Sequence, residues 1–138
     1  MRDGDDMDTL DVRTRRSTEV VDVTSMVESV VRASGVREGI ALVQTPHTTT
    51  AVVVNEREGG LTQDLLDWAG RVAPRGAGYR HDGTDGNAHA HLQGMMLGVS
   101  VTLPVAGGRL ALGTWQSVLF VELDGPRSRR LHVQVMGE

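Results

Sequence analysis

Apolar and polar residues alternate over Thr9 to Arg16, and a β-branched run follows through Glu19 to Val23, which predicts two short strands. The period then changes. Met26, Val27, Val30 and Val31 fall on one helical face, Ser25 and Glu28 have capping-box spacing, and Gly35 offers a C-terminal stop, so a first helix is expected here. Gly39 to Thr45 reads as a short buried strand and Thr48 to Asn55 as a β-branched one. Leu61, Leu65, Trp68, Ala69 and Val72 recur at three- and four-residue steps until Pro74, predicting a second helix from Thr62 to Ala73. Ala88 to Leu97 lacks β-branched residues and ends at Gly98, so a third short helix is expected despite Gly94. A meander closes the chain: Val99 to Pro104, Leu110 to Gly113, Gln116 to Leu123 and Leu131 to Met136, with turns at Gly107-Gly108 and Asp124 to Pro126. Met1 to Asp8 is acidic and without apolar period, and reads as a frayed tail ahead of one α+β domain over residues 9–138.

Composition narrows the chemistry. The 138 residues suit one core, and a net charge of −4 supplies no basic footprint for nucleic acid. No apolar run approaches the roughly 18 residues of a membrane span, and the acidic N-terminus is unlike a signal peptide, so no membrane association and a cytoplasmic location are expected. The chain has no cysteine, which removes disulfides, thiolate metal sites and cysteine nucleophiles. All fourteen basic residues are arginine. Schiff-base lysine chemistry and the P-loop are thereby excluded, and arginine is left to bind any phosphate or carboxylate.

Four of the five histidines lie between Thr45 and Leu92. His47 stands where a buried strand meets the β-branched run, a place for a pocket group or for a hydrogen-bonded structural histidine. With Thr48 to Asn55 extended, His47, Thr49 and Asn55 share one face and Glu56 the other. His81 and Asp82 sit in the polar stretch from Arg75 to Asn87, a loop long enough to be functional or disordered, where the pair suits a metal ligand, a general base or plain solvation. His89 and His91 would chelate together on a strand, but on a helix they diverge by about 200°, leaving His91 inward and His89 peripheral. Three converging imidazoles would suit a zinc-like ion with an open position. Trp115 and Gln116 follow Gly113, where a flat ring could stack on a ligand or fill the core. Arg127 and Arg129 read as a solvated corner in preference to an anion clamp, His132 as structural, and Asp64 as a helix-surface carboxylate.

Taken in order, His47-Thr48-Thr49, Asn55-Glu56, Tyr79-Arg80-His81-Asp82, Ala90-His91, Met96-Leu97-Gly98, Leu112 to Gln116 and Ser128-Arg129-Arg130 resemble the YjbQ-like family of secondary thiamine-phosphate synthases. The likeness runs from about Leu10 to Glu138. It implies an antiparallel or mixed sheet curled into a partial barrel with about three helices, a homotrimer with pockets near subunit contacts, and a weak transferase activity joining a pyrimidine pyrophosphate to a thiazole phosphate. Carried over by position, it implies recurrent histidines at His47, His81 and His91, with Asp64, Asn55, Glu56, Gln116 and Arg130 as supporting polar groups.

Joined to that resemblance, the residues give an expected metal set of His47, His81 and His91 and an expected catalytic set of His81, Asp82 and Glu56. Thr49, Asn55, Trp115, Gln116 and Arg130 are expected to bind a small phosphorylated metabolite. The cofactor expected is a divalent ion, zinc-like ahead of magnesium, because three neutral imidazoles suit zinc while magnesium prefers oxygen. That preference sits awkwardly with a departing pyrophosphate, which magnesium and arginine would assist. A metal-dependent hydrolase of a small metabolite and a non-catalytic metal- or ligand-binding oligomer are the competing functions.

Overall fold

The computed structural model describes residues 7–138. In chain order the elements are β1 (Met7–Arg13), β2 (Glu19–Asp22), α1 (Thr24–Ser34), β3 (Glu38–Gln44), β4 (Thr50–Asn55), α2 (Gly59–Val72), a 3-10 turn (Arg80–Gly83), α3 (Ala88–Leu97), β5 (Ser100–Ala106), β6 (Arg109–Leu110), β7 (Ser117–Glu122) and β8 (Ser128–Gly137). The first sheet has the order β1-β8-β3-β5-β6 and curls into a half-barrel; the second has the order β2-β7-β4. Every ladder is antiparallel. No helix among the described residues is long and apolar enough to cross a membrane.

The layers follow from alternation along the strands. Val12, Val43, Val105, Leu131 and Val133 project from the concave face of the first sheet onto Val27 and Val31 of α1 and onto Val52, Val118 and Phe120 of the second sheet. The opposite face of the second sheet, through Ala51 and Val121, packs on Ala90 of α3 and on Leu65 and Leu66 of α2. Each valine fully removed from water in these layers contributes about 1.5–3 kcal/mol. The convex face of the first sheet carries Ile40, Leu42 and Met136, each 37–42% exposed, and no helix among the described residues covers it.

Several expectations change. The strand predicted from Thr9 begins at Met7, which pairs with Gln134, so Met7 and Asp8 belong to the sheet; the rest of the expected tail lies outside the described residues. The Ser25–Glu28 capping box does not form. Asp22 instead accepts from the Thr24 amide at 3.0 Å, and Glu28 turns to the neighbouring β6, where it accepts the Leu110 amide at 3.0 Å. The second helix starts three residues early because the Glu58 carboxylate caps the Leu61 amide at 2.6 Å. The third helix spans Ala88–Leu97 as expected, and the fold explains its glycine. A Cβ at Gly94 would stand 3.1 Å from the Thr50 carbonyl and 3.3 Å from that of Thr48, so Gly94 lets α3 lie directly on the start of β4.

Candidate functional site

The site forms where β3 and β8 part. Their ladder ends at the Gln44–His132 pair, and Arg130, two residues back along β8, is paired with Asp11 of β1 on one side but has no β3 residue opposite it on the other. The chain turns at Pro46, and the His47 ring fills the next rung: Nε2 accepts the Arg130 backbone N–H at 2.8 Å. Thr45 holds this turn through its hydroxyl, which accepts from the His47 amide at 3.3 Å and meets the Thr50 hydroxyl at 2.7 Å. A ring nitrogen that accepts a backbone N–H carries no proton, so neutral His47 keeps its proton on Nδ1. Burial, followed by the charge of Arg129, holds the His47 pKa below its ordinary 6.5 and reinforces the neutral form.

Alternation along β8 turns Arg129 inward and Arg130 outward. Arg129, 6% exposed, meets the fully buried Glu122 from the end of β7. Its Nε donates to Glu122 Oε1 at 2.8 Å, and one terminal nitrogen donates to Glu122 Oε2 and, at 3.0 Å, to the Thr49 hydroxyl. Glu122 also accepts from the Thr14 hydroxyl at 2.7 Å and from the Leu123 and Asp124 amides at 3.1 Å each. Burial would raise the Glu122 pKa, but the hydrogen bonds from Arg129, Thr14 and the Asp124 amide, with the Arg129 charge, outweigh it and lower the pKa from 4.5. Gly125 is required at this corner, because a Cβ there would lie 2.4 Å from the Arg16 carbonyl and 2.7 Å from Glu122 Cγ.

A cleft of about 390 Å³ opens over the buried pair, lined among others by His47, Thr49, His91, Asp124, Arg127 and Arg129. His91 reaches it from the first turn of α3. His81, on the 3-10 turn, stands edge-on to His91 with ring centroids 4.7 Å apart, but lines a neighbouring apolar hollow with Tyr79 and Leu92. Its Nε2 lies 3.0 Å from Asn87 Oδ1, Asn87 Nδ2 donates to Asp124 Oδ2 at 3.0 Å, and Arg127 pairs with the same carboxylate oxygen at 3.3 Å. Because Asn87 offers its oxygen, the His81 Nε2 holds the proton. Asp82, expected to be catalytic, turns its Oδ1 to the Ala88 amide at 3.0 Å and caps α3.

The expected site residues therefore divide. His47, Thr49 and His91 share the cleft, and His81 touches it through His91. Asn55 and Glu56 line a separate apolar hollow at the far end of β4, about 17 Å away at the rise of a strand. Trp115 and Gln116 belong with them, since Asn55 pairs with Ser117. Trp115 is 73% exposed, so it is not core, and Gln116 accepts the Gly113 amide at 2.9 Å within its own turn. Asp64 is exposed on α2. The Arg130 side chain points away from the cleft, and Arg129, expected at a solvated corner, is the buried cation in its wall. His132 lies half-buried on the convex face with Nδ1 3.4 Å from Gln44 Oε1.

Glu122, Asn87 and Asp124 were not foreseen. The signal for Glu122 was present: a carboxylate inside the apolar run from Val118 to Leu123 needs a buried cation nearby, and arginine recurs seven residues on. As for a metal, no group of three or more His, Asp or Glu among the described residues is arranged to hold an ion. The donors give the reason. His47 has committed Nε2 to a backbone amide, and His81 has a protonated Nε2 bound to Asn87, so this donor set does not fit a three-imidazole ion without rearrangement.

Fold and site define a class: a small two-sheet α+β domain with an imidazole and guanidinium cleft at the corner between β7 and β8. The chain belongs to the family described as UPF0047 protein YjbQ-like, whose model matches residues 8–138. It is 50% identical over 127 residues to a UPF0047 protein of Archaeoglobus fulgidus, covering 92% of this chain and 98% of that one. It is 35% identical over 133 residues to YugU of Bacillus subtilis, covering 94% and 98%. Among solved structures, a YbjQ-like protein of unknown function from Sulfolobus solfataricus superposes with a TM-score of 0.93 at 42% identity over 96% of each chain. A hypothetical protein from Aeropyrum pernix gives 0.93 at 43% over 96% and 99%.

Proposed function

We propose that the cleft binds the phosphoryl end of a small cytoplasmic metabolite and makes or breaks a bond beside it by imidazole acid–base chemistry. A transfer of the thiamine-phosphate-synthase kind, in which pyrophosphate leaves carbon, is the reaction to test first. The observation that carries this reading is the meeting of neutral His47 with His91, Arg127 and Arg129 in one cleft. Arginines neutralise a leaving phosphate through paired N–H groups, neutral His47, whose Nε2 is engaged by the Arg130 amide, presents its Nδ1–H as a donor to a phosphoryl oxygen, and His91 is the cleft imidazole left to exchange a proton.

A second reading, a metal-dependent hydrolase or a metal-binding oligomer, is favoured by the His81–His91 ring contact at 4.7 Å, which brings two imidazoles together beside His47. In the test, pyrophosphate release is followed from a pyrimidine pyrophosphate with and without a thiazole phosphate, using chelator-treated protein before and after zinc. Acceptor-dependent release by the chelated protein, lost in His47→Gln, supports the first reading. Release that needs zinc but no acceptor supports the second. No release under either condition overturns both catalytic readings.

A further inference from the structure

The cleft does not end at Asp124. A second lobe of about 370 Å³ continues from it, sharing Asp85, Asn87, Asp124 and Arg127 with the first and adding Ser17, Thr18, Arg75 and His89. The two histidines of α3 are thus both used: diverging by about 200°, His91 faces one lobe and His89 the other. His89 was expected to be peripheral, yet it lines a polar hollow, and its Nδ1 is buried without a hydrogen-bond partner among the described residues. Buried polar atoms are seldom left so, and a ligand's polar group is one way to satisfy this one.

The charges in the second lobe are unequally committed. Asp124 is engaged by Arg127, whose Nε also donates to the Asp124 carbonyl at 2.9 Å, and by Asn87. Arg75 and Asp85 have no side-chain partner among the described residues. A free guanidinium beside two hydroxyls suits an oxyanion, whereas the free Asp85 carboxylate, present in both lobes, repels one and accepts from a hydroxyl or N–H.

We propose that the second lobe is a subsite of the same groove and that the ligand carries two anionic ends on a hydroxylated linker, as a sugar bisphosphate does. One end meets Arg129 and Thr49, the other meets Arg75, Ser17 and Thr18, and linker hydroxyls donate to Asp85. This rests on the phosphate reading of the first lobe. Free pyrophosphate, which has no linker, occupies the first lobe alone and gains nothing from Arg75.

The test is calorimetric titration with inorganic phosphate, pyrophosphate and ribose 1,5-bisphosphate, with the histidine ring signals followed by NMR. The bisphosphate is expected to bind about tenfold or more tighter than phosphate, because its second end binds intramolecularly. Arg75→Ala, at an exposed loop position, is expected to remove most of that gain while leaving phosphate binding and its effect on the His47 signal unchanged. Asp85→Asn is expected to narrow the preference over pyrophosphate. If phosphate moves the His47 signal but the bisphosphate binds no tighter, or its gain survives Arg75→Ala, the second lobe is not a subsite. If no phosphate compound binds the wild type, the phosphate reading of the first lobe fails and takes this one with it.

Discussion

Replacing Glu122 by leucine removes the counter-ion of a guanidinium that is 6% exposed. Arg129 would keep its single bond to Thr49 and lose both bonds to the carboxylate, while the Thr14 hydroxyl and the Leu123 and Asp124 amides would lose an acceptor. Breaking a buried pair by deleting one partner costs about 3–5 kcal/mol, because the remaining charge is stranded. Arg129→Met should cost a similar amount by leaving the carboxylate unpaired. The double variant Glu122→Leu/Arg129→Met strands no charge and should be more stable than either single one, since apolar replacement of a whole buried pair is often close to neutral. Against a typical stability of about 5–15 kcal/mol, each single loss is large enough to measure by urea unfolding. Far-UV circular dichroism is the suitable signal, because Trp68 and Trp115 are 43% and 73% exposed in the folded state and report little on unfolding. Additivity of the two single effects within about 0.5 kcal/mol would refute the reasoning, since it would mean that the two side chains do not act as a pair.

Acid should weaken the fold through His47. With its folded pKa below 6.5, the native state binds fewer protons than the unfolded chain, so the stability from neutral His47 is full above 6.5 and is lost as pH falls through the folded value. Glu122 acts in the same direction lower down, below 4.5. Calorimetric Tm against pH should fall less steeply in His47→Gln as the pH drops below 6.5, and equal slopes would contradict the assignment. Gly94→Ala should lower Tm although alanine favours helix, because its Cβ meets two backbone carbonyls that cannot yield. Gly70→Ala, with nothing within 4 Å of the added carbon, should instead stabilise α2 by about 0.5–1 kcal/mol, and thermal melts of the pair check both signs. The uncovered Ile40, Leu42 and Met136 face is proposed as a subunit contact. Sedimentation equilibrium should then give three times 14.9 kDa for the wild type and a smaller species for Leu42→Lys.

What could be read from the sequence was what depends on local period. The bounds of α3 and, to within a residue, the strand expected from Gly39 to Thr45 follow from side-chain alternation and from glycine stops, but the closing strands do not form the expected meander, because β7 lies between β2 and β4 in the second sheet and β8 between β1 and β3 in the first. The capping box failed because Glu28 had a better partner 82 residues away, which no window of neighbours contains. The site was half legible for the same reason. His47, Thr49 and His91 come together, but Asn55 and Gln116 share a motif pattern with them without sharing a place, because a strand sets them at its two ends. Arg129 and Arg130 are adjacent in sequence and opposite in space, and only the register of β8 decides which of them enters the wall. The side chain read as a surface charge proved to be the internal one.

The hydrogen bond that fixes the His47 tautomer has a further consequence. Its donor is a main-chain N–H, a group that every residue except proline brings to position 130. The protonation pattern of the imidazole is therefore indifferent to which side chain stands there and sensitive only to how the two strands are aligned. Drift at position 130 can proceed on the outer surface, at a subunit contact or in open solvent, without reaching the cleft on the other side of the sheet. A single change to proline would silence the ring while leaving every cleft side chain in the sequence.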